Sequence, residues 1–96
     1  MAIREIGKTT SKDAFALALA ALSWTLAETT RAERLLSLTG LTPDDLRNRV
    51  SDPSVLAAIL SFVIAHEPDL IACSDAIDAR PADLVAAQAL LETQTS

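Results

Sequence analysis

Apolar residues return along this chain at the spacing of an α-helix, and the breaks between the apolar runs carry helix caps. Phe15, Leu19, Leu22 and Leu26 fall at i, i+4, i+7 and i+11, which predicts a helix from about Ser11 or Lys12 to Glu28 with that stripe facing the core. Alanines cover much of its remaining surface, so another helix can approach closely. A second helix follows Thr29-Thr30 as N-cap candidates and stops at Gly40, the residue expected just past a helix end. A short third helix is capped by Thr42, with Pro43 at its first position and Asp44 and Asp45 on the favourable end of its dipole. Asp52-Pro53 repeats that grammar and opens a fourth helix reaching about His66. Val55, Leu56, Ile59, Leu60, Phe62, Val63 and Ile64 make it apolar nearly all round, which places it at the centre of the domain. A fifth helix begins near Pro68 with Leu70, Ile71 and Ile77, and a sixth at Pro81 with Leu84, Val85, Leu90 and Leu91.

The pattern occurs twice. A shift of about 38 residues sets Ala20, Leu22, Ser23, Ala27, Pro43, Asp45 and Leu46 on Ala58, Leu60, Ser61, Ala65, Pro81, Asp83 and Leu84, and such self-similarity marks a repeated unit. Trp24 then meets Phe62, and Leu26 meets Ile64. The expected architecture is all-α: a compact six-helix domain over residues 11–92, built from two three-helix repeats at about 14–50 and 52–92. The two long apolar helices are expected to pair about a pseudo-two-fold axis, with the shorter helices wrapped around them. Residues 1–10, with Gly7 and Thr9-Thr10-Ser11 at their end, are expected to form a mobile basic tail.

Composition narrows the class without naming a function. At 96 residues there is room for one core. Half of the residues are apolar, mostly Ala and Leu, with Phe15, Trp24 and Phe62 the aromatics and no Tyr, which favours helices over strands. Thirteen acids against eight bases give a net charge of -5, which opposes binding to phosphates or to an anionic membrane. The imbalance is concentrated after residue 50, where Arg80 stands alone against Asp52, Glu67, Asp69, Asp75, Asp78, Asp83 and Glu92. That half fits a solvated face or a basic partner. The single cysteine, Cys73, excludes an intramolecular disulfide and agrees with a reducing compartment. Arg4, Lys8 and Lys12 before the apolar run Ala14 to Ala27 imitate a signal peptide. Glu5 and Asp13 interrupt the basic stretch, however, and the run has its repeat partner deep in the chain, so the expected location is the cytoplasm. Both runs fall short of the roughly 20 residues that a membrane span needs.

The stretch Arg34-Leu35-Leu36-Ser37-Leu38-Thr39-Gly40-Leu41-Thr42-Pro43-Asp44-Asp45-Leu46-Arg47, followed by Asp52-Pro53-Ser54-Val55-Leu56-Ala57-Ala58-Ile59-Leu60-Ser61-Phe62, resembles a family of small bacterial proteins known as domain of unknown function number 3572. The resemblance covers roughly Ala14 to Leu91. It implies a small, helical, intracellular protein and brings no activity, cofactor or catalytic residue. The chain departs from the family pattern at Ile77-Asp78-Ala79-Arg80-Pro81, where the family tends toward a Gly-Leu turn.

Candidate chemistry is sparse. Residues 40–50 fit the turn and second helix of a helix-turn-helix: Gly40 turns, Leu41, Leu46 and Val50 pack, and Arg47, Asn48 and Arg49 could face a groove of DNA. Asp44 and Asp45 oppose that reading at the docking end, and the repeat equivalent Pro81 to Gln88 keeps the packing positions and loses the bases. His66, Glu67, Asp69 and Cys73 include neither a second His nor a second Cys to complete a common zinc set, and Pro68 interrupts helical spacing between them. His66 reads as a helix C-terminal residue and Cys73 as a small buried hydrophobe. Asp75 and Asp78 lack the alternating oxygen pattern of a calcium loop. With Gly7 and Gly40 the only glycines, a Gly-rich phosphate loop is absent from the sequence. Trp24 lies off the centre of its helix stripe, either buried by a second face or serving as an anchor for a partner or second subunit. The expected role is a non-enzymatic protein–protein interaction without cofactor or metal, the partner being another protein or a second copy, and helix-turn-helix DNA binding is the alternative.

Overall fold

Caps written in the sequence punctuate the computed structural model, which describes residues 11–94. The expected tail, residues 1–10, lies outside the described residues. The helices are α1 Ser11–Leu26, α2 Thr29–Thr39, α3 Pro43–Asn48, α4 Pro53–Ile64, α5 Glu67–Ala76 and α6 Pro81–Thr93, with no strand among the described residues. Prolines stand within the first turn of α3, α4, α5 and α6, where the missing N–H has no intrahelical partner to lose. Thr42 and Asp45 form a reciprocal capping box: Asp45 N–H donates to Thr42 Oγ1 at 3.0 Å and Thr42 N–H to Asp45 Oδ2 at 2.9 Å. Asp52 caps α4 by accepting from the backbone N–H and the hydroxyl of Ser54, each at 2.9 Å. At α6 half of that device remains: Asp83 reaches back to Arg80 N–H at 3.1 Å, while the Arg80 guanidinium, which can only donate, pairs with the same carboxylate.

Two helix ends turn through left-handed backbone. Gly40, at φ 75°, closes α2 with its N–H on the Leu36 carbonyl at 2.9 Å. Asp78, at φ 60°, does the same after α5. There Ala79 N–H reaches Ser74 O at 2.8 Å and Asp78 N–H reaches Asp75 O at 3.3 Å, the paired bonds of a Schellman ending. At Ile77-Asp78-Ala79-Arg80-Pro81 the chain thus turns through the same left-handed region without a glycine.

The centre is a three-helix layer of α1, α4 and α6, each packed on the other two. This corrects the expected plan, in which α6 wrapped a central pair. α3 stops after six residues and the chain turns directly into α4, whereas α6 runs for thirteen and buries Leu84, Ala87 and Leu91. The third helices of the two halves therefore do different work. The α1 stripe is also corrected. Ala14, Ala18, Ala21 and Thr25 are fully buried, while Leu19 and Leu26 are 41% and 45% exposed. Of the expected face, Leu22 is buried and Phe15 is half-buried against the core. α1 shares its seam with both α4 and α6, and there the volume is supplied by Leu56, Ile59, Leu60, Leu84 and Leu91, all fully buried. Small residues opposite large ones let the backbones approach and fill the space at native density. The Thr25 hydroxyl is satisfied by the Ala21 carbonyl at 2.8 Å. On α5 the buried face is Cys73 and Ser74 and the expected Ile71 is 55% exposed; on α6 Val85 is 46% exposed.

Several helix boundaries recur at the same spacing along the chain. Leu26 and Ile64 end α1 and α4, Thr29 and Glu67 open α2 and α5, and Pro43 and Pro81 open α3 and α6. Ala18, Ala21, Leu22, Thr25 and Leu46 are buried, and so are their equivalents Leu56, Ile59, Leu60, Val63 and Leu84. Among the described residues no single helix is long and apolar enough to cross a membrane.

Candidate interaction surface

The residues singled out in the sequence are scattered over the molecule. Trp24 is half-buried against the core, and the Arg31 guanidinium lies 3.8 Å from its ring centroid while donating to its carbonyl oxygen. Glu28, 3.4 Å from Arg31, holds the guanidinium from the other side. Trp24 thus presents a covered face rather than an open one. Arg47, Asn48 and Arg49 are exposed at the end of α3. Both arginines are already engaged, Arg47 with Asp44 at 2.6 Å and Arg49 with Asp52 at 3.1 Å, so the local field of this corner is nearly neutral. Leu46 packs as expected, Leu41 is half-buried, and Val50 is 37% exposed.

His66 is corrected from a helix C-terminus to the N-cap of α5, because α4 closes at Ala65 and α5 opens at Glu67. Its Nδ1 lies 3.2 Å from Asp69 Oδ2, and the same carboxylate takes the guanidinium of Arg34 from α2. Asp69 is thereby a clasp between α2 and the α4–α5 corner. Cys73 is fully buried, and burial pushes its thiol up to about 11, with the nearby Arg31 charge acting in the opposite direction. A thiol held protonated is a poor nucleophile. Among the described residues no three His, Cys, Asp or Glu side chains converge to hold a metal ion.

A surface that sequence reasoning missed lies between α2, α4 and the end of α6. Leu38, one turn beyond the fully buried Leu35, is 74% exposed, the most exposed large apolar side chain described. Beside it Thr39, Ser54, Ala57, Ala58, Ser61, Phe62, Ala65 and Glu92 line a hollow of about 540 Å³. A second hollow of about 310 Å³ adjoins it, sharing Leu38, Phe62 and Ala65 and adding Arg34 and His66. The two are one groove in which Leu38 stands as a lip. Its floor is the face of α4 that the core leaves uncovered, and Ser54, Ala58, Ser61 and Ala65 on that face are short. Gln88 fixes the α6 wall through Ser61 Oγ at 3.0 Å. Arg34, 5.4 Å from the Phe62 ring centroid, fixes the opposite wall. The sequence signal was present: polar Ser61 interrupts the apolar run from Val55 to Ile64.

Fold and surface together define a small all-α domain with an open apolar groove and no converged set of metal ligands among the described residues. The chain belongs to the family described as a protein of unknown function, DUF3572, whose model matches residues 11–94. No curated protein and no solved structure matches it.

Proposed function

We propose that this chain is a non-enzymatic, cytoplasmic protein–protein interaction domain that works through the α2–α4–α6 groove. The observation that carries the reading is Leu38, 74% exposed beside a hollow that Ala57, Ala58 and Phe62 help to line. A large apolar side chain held in water on a helix, beside a concavity of matching character, is the usual form of a helix or side-chain docking site. The two halves are best understood as copies of one three-helix unit, since their helix boundaries coincide at the repeat interval. The alternative, DNA binding through Arg47, Asn48 and Arg49, draws less support because both arginines are paired with carboxylates of their own corner.

The test is capture from host lysate with the tagged chain and with Leu38→Asp, each with and without nuclease. The expected result is a stoichiometric protein that survives nuclease and is lost with Leu38→Asp. Capture that disappears with nuclease, and is abolished by Arg47→Glu with Arg49→Glu, would overturn the reading in favour of DNA.

A further inference from the structure

We infer that α2 is a hinged wall, opening as a unit from a fixed α1–α4–α6 layer and latched shut by Asp69. The motion belongs to the free chain, whatever the groove holds. α2 stands outside the central layer and packs on α1 and α4. It buries Leu35 and seats Leu36 partly against the core, whereas α4 buries seven of its twelve residues. A helix that buries so little apolar surface opens locally, below the cost of unfolding the whole domain. Its ends suit a pivot. Ala27-Glu28 joins it to α1, and Gly40-Leu41-Thr42, with Gly40 in left-handed backbone, joins it to α3.

What seats α2 beyond Leu35 is polar. The ion pairs of Arg31, Arg47, Arg49 and Arg80 each join residues three apart in the chain, whereas Arg34 reaches from α2 to Asp69 on α5. Asp69 is only 13% exposed and also takes His66 Nδ1 at 3.2 Å, so the carboxylate that α2 grips is itself fixed on the α4–α5 corner. A charged hydrogen bond to a fixed, largely desolvated partner holds more firmly than one formed in open water. Arg34 remains partly exposed, so its charge returns to water when the latch opens and is not stranded in the interior. Arg34, Leu38 and Thr39 travel with α2, while Ser54, Ala58 and Ser61 stay with core-anchored α4, so opening widens the groove.

The experiment is native-state hydrogen exchange of the full purified chain over a series of low urea concentrations, with Asp69→Asn and Arg34→Gln alongside. In the parent, the interior amides of α2 should exchange faster than those of α4 and α6, through an opening that depends little on urea. Each substitution should speed exchange across α2 by about threefold or more and leave α4 and α6 within about twofold. Arg34→Gln breaks the tie from α2's own side and leaves Asp69 with His66 at the start of α5, so damage confined to α5 cannot imitate the result. If α2 shares the protection and urea dependence of α4 and α6, or if either substitution fails to single it out, α2 is part of the rigid layer and the inference is overturned. Lysate capture that fails while α2 still opens selectively would overturn the interaction reading alone.

Discussion

Gly40 and Asp78 occupy equivalent places in the two halves and the same region of backbone space, yet only one of them is glycine. A side chain in the left-handed region crowds the following carbonyl, and Asp tolerates this better than most residues. Asp78→Gly should therefore raise stability by about 0.5–1 kcal/mol, read from urea unfolding. Gly40→Ala should lower it by about 1 kcal/mol, since a Cβ there meets nothing within 4 Å and the cost is backbone strain alone. Equal, near-zero effects at both sites would contradict left-handed helix endings. Titratable residues set the pH range. Asp45, Asp52 and Asp83 are held below the ordinary carboxylate range by hydrogen bonds, from Thr42 and Ser54 at the first two and chiefly from Arg80 at Asp83. Their stabilisation is present above the unfolded value of 3.8 and is lost as pH falls through the lower folded values. Cys73 acts at the other limit. Its folded value is raised from 9.0 to about 11, so its contribution is intact below 9.0 and lost as pH rises toward 11. Thermal melts across pH should show both shoulders, and Cys73→Ala should flatten the alkaline one. Gly40 and the Thr42 and Asp52 caps were legible in the sequence because each obeys a local rule. Asp78 was not, because its conformation is imposed by the Schellman bonds around it.

At the scale of elements, the sequence pattern identified every helix described, misread the buried side of α1 and misplaced Ile71 on α5 and Val85 on α6. Counting large apolar residues points α1 at Leu19 and Leu26, but a helix that shares its seam with two others has no room for them. The buried face is instead the alanine face with Thr25. The missing signal lay in the small residues: Ala18, Ala21 and Thr25 make a stripe that lets α1 approach the large buried residues of α4, among them Leu56, Ile59 and Val63. Ala18→Leu should consequently overpack the α1 seam and cost about 1–3 kcal/mol or more. Leu19→Ala should cost no more than about 1 kcal/mol, because much of that side chain already meets water. The order would reverse if the leucine stripe were the core face. His66 was misplaced for a related reason. The α4–α5 corner is so tight that the residue after one helix's end is the cap of the next, and helical propensity alone does not resolve such a junction.

For the whole molecule, the class and the number of elements were legible in the residues, but which helices meet was not. α6 packs on both α1 and α4 and buries Leu84, Ala87 and Leu91, whereas the six-residue α3 buries Leu46. One consequence is cooperativity. A chain ending at residue 76 lacks α6, exposes the faces of α1 and α4 that it covers, and should fail to show a cooperative melt, whereas a design of two independent units would leave the first half folded. The groove was equally hidden, since Leu38 stands in a run with Leu35 and Leu36, and only the position of α2 shows that it is the member left exposed. The most direct measurement of its role is in-cell photo-crosslinking with a reactive residue installed at Leu38 and, as the control, at Ser23, the exposed α1 equivalent of groove residue Ser61. Discrete protein adducts from position 38 and none from position 23 are expected. Equal labelling at both positions, or no adduct from position 38, would contradict the assignment of the α2–α4–α6 groove as the interaction surface.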